Sequence, residues 1–261
     1  MERELKRIIL ILTVLTCLII VNSSVIAQVN VEKFRKTGHD SGLAGYAKVS
    51  FSSRTGNVDV TEIDVEGSAD FKWKKMNSFI IVQGEQGWKE DEQYSNEGLL
   101  HFRQIFDFKK AWQPETFMQT DFNKKRSLSD RKLFGIGLRT TIFRNSKNSI
   151  VCGTSYMYEY EKLDISNQSA HRAITKHNRW NNYFALNLNI NSQLQGHWTT
   201  YYQPRFDELS DMRILSEANL KVVIIKPVSV SITYNMRYDS DPPENIKDLD
   251  AKLTMGLVYV F

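Results

Sequence analysis

Asp248-Leu249-Asp250-Ala251-Lys252-Leu253-Thr254-Met255-Gly256-Leu257-Val258-Tyr259-Val260-Phe261 closes the sequence, and every odd position from Leu249 onward is apolar. Leu249, Ala251, Leu253, Met255, Leu257, Tyr259 and Phe261 fall on one side of an extended backbone, because successive side chains of a strand point to opposite faces. Asp250, Lys252, Thr254 and Gly256 fall on the other. A soluble chain rarely stops on so hydrophobic a strand, since termini fray unless a sheet holds them. A closed barrel in a membrane removes that objection. With the Leu face toward lipid, each large apolar side chain contributes about 1.5 to 3 kcal/mol. The opposite register would set Lys252 into the bilayer at about 2 to 4 kcal/mol, and Asp250 at somewhat less. The favoured arrangement has lipid outside and a polar lumen inside. Thr254, Gly256, Tyr259 and Phe261 also resemble the terminal assembly signal of Gram-negative outer-membrane barrels, a polar residue and a Gly followed by alternate aromatics. That signal implies the barrel-assembly machinery as a partner.

The other end supports the same compartment. Arg3, Lys6 and Arg7 precede an apolar run from Ile8 to Val21, and Val25-Ile26-Ala27 supplies small or slender residues for cleavage after Ala27. This is the pattern of a secretory signal peptide over residues 1–27, and its apolar run falls short of the roughly 20 residues of a helical span. Cys17 does not begin a lipidated chain, because Leu18, Ile19 and Ile20 continue the apolar core past it. Without the leader's three basic and two acidic residues the formal charge falls from +4 to about +3, which calls for no nucleic acid. Cys152 is then the single cysteine, a small packing residue rather than a nucleophile.

Residues 28–43 have no clean period and read as a periplasmic arm or short plug; residues 44–261 read as one all-β domain, an antiparallel up-and-down transmembrane barrel of about 12 strands. Alternation marks Ala44 to Arg54, Thr61 to Trp73, Phe79 to Trp88, Ser95 to Phe106, Trp112 to Phe122 and Arg131 to Phe143. It continues through Ile150 to Tyr160, Tyr183 to Ile190, Trp198 to Tyr202, Ile214 to Ile224, Val228 to Met236 and the closing strand. The fifth is the weakest, because Thr116, Met118 and Thr120 compete with Phe117 and Gln119 for the outer face. Short turns at 74–77, 107–111, 144–148, 192–193 and 225–227 should lie at the periplasmic end. Longer connections, including 89–94, 123–130 and 162–176, should lie at the other, with Thr55-Gly56-Asn57 as the short exception. Trp73, Trp88, Trp112, Trp180 and Tyr238 suit interfacial girdles. The closing strand is expected to pair with Ala44 to Arg54.

Ser52-Ser53-Arg54-Thr55-Gly56-Asn57, Phe134-Gly135-Ile136-Gly137-Leu138 and the terminal strand together resemble domain-of-unknown-function family 481, salt-induced outer-membrane proteins. The resemblance implies an outer-membrane barrel. It brings no reaction, no cofactor and no catalytic residues.

By parity the lumen should hold Lys48, Arg54, Glu62, Asp64, Glu66, Asp70, Arg103, Asp121, Arg139, Glu159, Arg213, Glu217, Lys221, Arg237, Asp250 and Lys252. Such a mixture fits either a narrow pore selecting small solutes or ions, or a salt-bridged interior that closes itself. Twelve strands lie between barrels filled by side chains and barrels filled by water. Catalysis has a poor foothold: His39-Asp40-Ser41 is the one His with Ser two residues on, upstream of the first strand. His197 with Thr199 reads as a hydrogen-bonded interior pair, and His171 and His177 flank a loop with no carboxylate at metal-ligand spacing. Gly135 and Gly137 inside a strand read as relief of crowding rather than a phosphate loop. A passive channel or envelope-structural protein, not an enzyme, is the first expectation. An outer-membrane lipid hydrolase, or a binding protein using Lys124-Lys125-Arg126 and 162–176, stands as the alternative.

Overall fold

A computed structural model describes residues 42–108, 112–166, 169–225 and 228–259, so the leader, most of the arm and Phe261 lie outside the described residues. Twelve strands form one antiparallel sheet in sequence order. They are β1 Gly42–Arg54, β2 Val60–Trp73, β3 Met76–Lys89, β4 Glu92–Phe106, β5 Gln113–Asn123, β6 Leu128–Arg144, β7 Ser149–Leu163, β8 Ile174–Asn189, β9 Leu194–Pro204, β10 Met212–Ile225, β11 Val228–Asp239 and β12 Leu249–Tyr259. Their lengths of 11 to 17 residues exceed the 9 to 11 or so that a tilted strand needs to cross a bilayer. No helix among the described residues is long and apolar enough to cross a membrane.

Register fixes the two faces. Phe117 pairs with Arg103 on one side and Gly135 on the other, so Glu115, Phe117, Gln119 and Asp121 share the inner face while Met118 and Phe122 turn outward. The ambiguity of the fifth strand is settled by its neighbours, because a one-residue slip would reverse every side chain. The outer face carries Ile80, Val82, Leu100, Phe134, Ile136, Leu138 and Leu253, all exposed. A continuous apolar exterior of that kind is far beyond the scattered exposed hydrophobics of a soluble surface. Polar groups on it satisfy one another: Trp180 Nε1 donates to Thr154 Oγ1 at 2.6 Å, Thr154 Oγ1 to Asn182 Oδ1 at 2.8 Å, and Trp198 Nε1 to Ser216 Oγ at 3.0 Å.

The inner face is packed as well. Phe79, Ile81, Ile105, Val151, Tyr183, Ala185, Tyr201 and Leu215 form a buried apolar cluster that draws together β3, β4 and β7 to β10. Strands distant along the ladder meet there, which curls the sheet around its own side chains.

Three expectations need correction. β1 starts at Gly42, so Gly42 and Leu43 belong to the sheet rather than the arm. The connections at the end opposite the termini are not uniformly long: Glu90 and Asp91 alone join β3 to β4, with φ of 50° and 68° as a tight hairpin with right-handed strand twist requires. Lys124–Arg126 forms one 3-10 turn capped by Asn123, whose Oδ1 accepts from the Arg126 N–H at 3.1 Å. The 55–59 connection is short as expected, with Gly56 at φ 133° donating its N–H to Asp59 Oδ1 at 2.9 Å. The long connections are 164–173, 205–211 and 240–248, all in the second half. Finally, no ladder joins β12 to β1 among the described residues. The inward side chains near that seam are mostly polar or charged, among them Lys48, Ser50, Ser52, Lys252 and Thr254, so no apolar core pulls the edges together.

Candidate functional site in the barrel interior

Alternation delivers ionisable side chains to the inner face, and the 3-10 turn adds one more. At the end opposite the termini they join into one network. Arg131 grips Asp121 with both arms, Nη2 to Oδ2 at 2.8 Å and Nε to Oδ1 at 3.2 Å. Arg213 reaches Glu159 at 2.6 Å, Glu161 at 3.2 Å and Asp239 at 2.9 Å. Arg179 donates to the other oxygen of Glu159 at 2.9 Å and to Asp211 at 3.0 Å, and Arg237 donates to Asp239 at 2.8 Å. Arg131 and Arg179 are each 1 % exposed. Charges so far from water persist only when paired, and removing one partner of such a pair typically costs about 3 to 5 kcal/mol.

A second layer lies closer to the middle. Arg103 meets Glu115 at 3.4 Å, and Tyr183 Oη donates to the same carboxylate at 3.1 Å. The Arg103 guanidinium also stands 5.2 Å from the Phe117 ring and 5.5 Å from that of Tyr183, within range of cation–π attraction. Beside it, the cavity lined by His101, Gln119, Met157, Asn181 and Leu215 measures only about 20 Å³, room for about one water.

Of the sixteen charges assigned to the lumen by parity, Asp70, Arg103, Asp121, Arg139, Glu159, Arg213, Glu217 and Arg237 are buried. Glu62, Asp64, Glu66, Lys221, Asp250 and Lys252 are partly buried, while Lys48 and Arg54 are exposed. The uneven burial is the informative feature. On the β1 to β3 side, Lys48, Ser50, Asp64, Glu66 and Gln83 surround an open space of about 220 Å³. There Tyr46 Oη donates to Glu66 Oε1 at 2.6 Å and Gln83 Nε2 to Glu66 Oε2 at 3.0 Å. Among the described residues the interior is packed where β3, β4 and β7 to β10 meet, and it is spacious beside β1 to β3.

Glu115, Arg131, Arg179 and Asp239 belong to the interior but are missing from the sequence reading, although each is in phase with its strand's inward residues; Glu161, read as an inward partner of Glu159, is buried as expected. Arg126 is also buried, and no period could place it, since it sits in a turn. The basic triplet is not a projecting binding loop: Lys125 Nζ bonds Glu85 Oε1 at 2.9 Å, Lys124 Nζ donates to the Gln93 carbonyl, and Arg126 points inside. His197 accepts the role expected of it, with Nε2 3.0 Å from Thr199 Oγ1 and Nδ1 2.6 Å from Asn187 Oδ1. His171, expected to lack a carboxylate, finds two brought by the fold, Asp241 at 3.1 Å and Glu244 at 3.5 Å. No group of three His, Cys, Asp or Glu side chains among the described residues has the geometry to hold a metal. His39, Asp40, Ser41 and Phe261 lie outside the described residues, and Tyr259 is placed on β12 opposite Val228.

The family profile described as "Protein of unknown function, DUF481" matches residues 47–261. Among curated proteins no relative of the sequence is found. Solved structures resemble the chain in outline. The NanC porin is 12 % identical with a TM-score of 0.46, covering 84 % of this chain and 98 % of its own. The translocator domain of the autotransporter NalP from Neisseria meningitidis is 9 % identical with a TM-score of 0.40, covering 88 % and 91 %. The β domain of the Bordetella autotransporter BrkA is 10 % identical with a TM-score of 0.38, covering 84 % and 100 %.

Proposed function

The chain belongs to the DUF481 family, whose description assigns no activity, and we propose that it is an integral outer-membrane β-barrel working as a narrow passive channel for ions and water-sized solutes. Membrane residence follows from the exterior: an apolar belt on strands long enough to span, with its polar atoms mutually bonded, is what hydrocarbon requires. Lipid is then its first partner, and the terminal strand, with Thr254 and Gly256 inward, is the element that the assembly machinery would read. Export by the leader and cleavage after Ala27 belong to the same proposal.

One observation carries the channel reading. The interior is packed where β3, β4 and β7 to β10 meet but leaves a space of about 220 Å³ lined by Lys48, Ser50, Asp64 and Glu66 on the β1 side. A passage through that space, lined by both signs of charge, would favour small ions over oligosaccharides. Planar-bilayer recording on full-length protein tests it. Small, steady conductance that changes in cation-to-anion preference in Asp64→Lys is expected. Currents of large-porin size, or none in protein whose heat-modifiable mobility shows it folded, would sink the channel.

A purely structural envelope role is the second reading, favoured by the buried Arg131, Arg179 and Arg213 network, and ion-tight folded protein would select it. The lipid-hydrolase alternative rests on Ser41: lipid hydrolysis by the purified protein that disappears in Ser41→Ala would replace the passive reading with an enzymatic one.

A further inference from the structure

Charge on the outer face of the sheet is confined to one place. Among the described residues, the outward positions of the twelve strands carry Lys132, Lys162, Lys176 and Asp130 and no other charged side chain. All four lie at the end opposite the termini, on the adjacent strands β6, β7 and β8. Register sets Lys132 and Lys176 on either side of Tyr160 in one row, with Lys162 two residues further along the middle strand, beside Asp130. With strands about 4.8 Å apart, the three lysine Cα atoms stand within about 10 Å of one another. The three lysines are exposed. Lys132 Nζ lies 2.9 Å from Asp130 and 5.8 Å from the Tyr160 ring, while Lys162 and Lys176 have no ion pair among the described residues. The 205–211 connection, whose Phe206 ring stacks on Tyr156 at 6.0 Å, brings Asp207 and Glu208 near, but Arg205 holds them at 2.6 and 3.4 Å. Next to the lysines on the membrane side the outward rows turn aromatic, first Phe134 and Tyr158, then Tyr156 and Trp180, all exposed.

Three cations against one carboxylate repel one another, and a polyanion placed between them relieves that repulsion. Their height limits which anion it is. Lysine stems lie along apolar surface and lift their ammonium groups to the head-group level, and an aromatic row marks the interface just beneath them. The anion that a membrane presents at that level is the phosphate of a lipid head group. We propose that Lys132, Lys162 and Lys176 form an exterior docking site for a phosphorylated lipid of the outer leaflet, its phosphates among the three ammonium groups and its acyl chains against Phe134, Tyr156, Tyr158 and Trp180. Ammonium groups bind phosphate as point charges and need no fixed fork, which suits side chains free to move toward it. The proposal rests on the reading of this outer face as lipid-facing, and is independent of whether the interior conducts.

The test is thermal unfolding of the full-length protein in non-ionic detergent micelles, followed by heat-modifiable mobility, with lipid A, a glycolipid that carries phosphates on its head group, titrated against the same lipid stripped of them. The unfolding midpoint should rise and saturate with lipid A only, since a ligand that binds the folded form stabilises it by mass action, and added sodium chloride should weaken the response. The combined variant Lys132→Gln, Lys162→Gln, Lys176→Gln should lose at least tenfold in apparent affinity; its three positions are exposed, so folding should survive. Lys74→Gln with Lys75→Gln, exposed at the opposite end, should keep the full response. No rise, an equal rise with the stripped lipid, or a rise retained in the triple variant would overturn the site. The same rise with inorganic phosphate alone would make it a free-anion site, and dimers in the absence of lipid A that the triple variant abolishes would make it a face for a second copy; either overturns the lipid. Insertion into lipid vesicles checks the membrane reading separately: protein that inserts but ignores lipid A loses the site alone, and protein that does not insert loses both.

Discussion

Gly135 shows how a single inward position shapes the interior. A Cβ built there would stand 2.2 Å from the Phe117 ring of the paired strand, so the absent side chain is the space the aromatic occupies. Gly137 is as tight, with a Cβ 2.2 Å from the Thr154 carbonyl oxygen. The reading of these glycines as relief of crowding was available from a Gly-x-Gly inside an alternating stretch. The ring that fills the gap was not, since Phe117 is 18 positions away and on a strand whose faces were ambiguous. Gly135→Ala should destabilise by about 1 to 3 kcal/mol through overpacking, measured by urea unfolding in micelles. Phe117→Leu in the Gly135→Ala background should recover part of that loss, and strictly additive losses would separate the two residues.

Among the elements, two loops and two edge strands behave differently from the rest. The 164–173 and 240–248 connections are fastened together by Glu244, which accepts from the Ala170 N–H at 2.5 Å and from Ser169 Oγ, and by His171 Nε2 with Asp241 at 3.1 Å. Burial disfavours the His171 imidazolium, but Asp241 and Glu244 outweigh it and raise its pKa above the usual 6.5. Glu244 is held down to about 2, first by the Ser169 hydroxyl. A raised His pKa contributes stability that is complete below about 6.5 and disappears as pH rises through the folded value. A lowered Glu pKa contributes stability that is complete above its ordinary 4.5 and lost as pH falls toward 2. The clasp should therefore be tightest between about pH 4.5 and 6.5. Amide protection at Ala170, corrected for intrinsic exchange, should fall as pH rises above about 6.5, and His171→Gln should remove that dependence. At the seam, β1 and β12 each lack one ladder partner among the described residues, so their outer-edge amides should exchange faster than those of β6 and β7. Uniform protection around the sheet would show that the two edges join in the membrane.

Taken as a whole, the molecule is an apolar exterior wrapped around an interior that is ionic at one end, aromatic in the middle and spacious along one side. We propose that assembly of that object begins from its last strand. Deleting Phe261, or replacing it with a charged residue, should reduce membrane insertion while leaving the conductance of correctly folded molecules unchanged; full yield of heat-modifiable, inserted protein would contradict the role. The sequence by itself determined the strand count, the inward and outward faces and the apolar belt, because a period of two is a local property that every strand displays. It also held most of the interior charges, although Arg131, Arg179 and Asp239 had to be recognised by phase. Only the tertiary structure decided which charges are paired, that the interior is packed where β3, β4 and β7 to β10 meet while β1 to β3 border open space, and that Arg126 is buried. It alone brought His171 to Asp241 and Glu244. Those outcomes depend on curvature and on contacts between strands far apart in the chain, and parity along one strand carries no record of the side chain it will meet across the barrel.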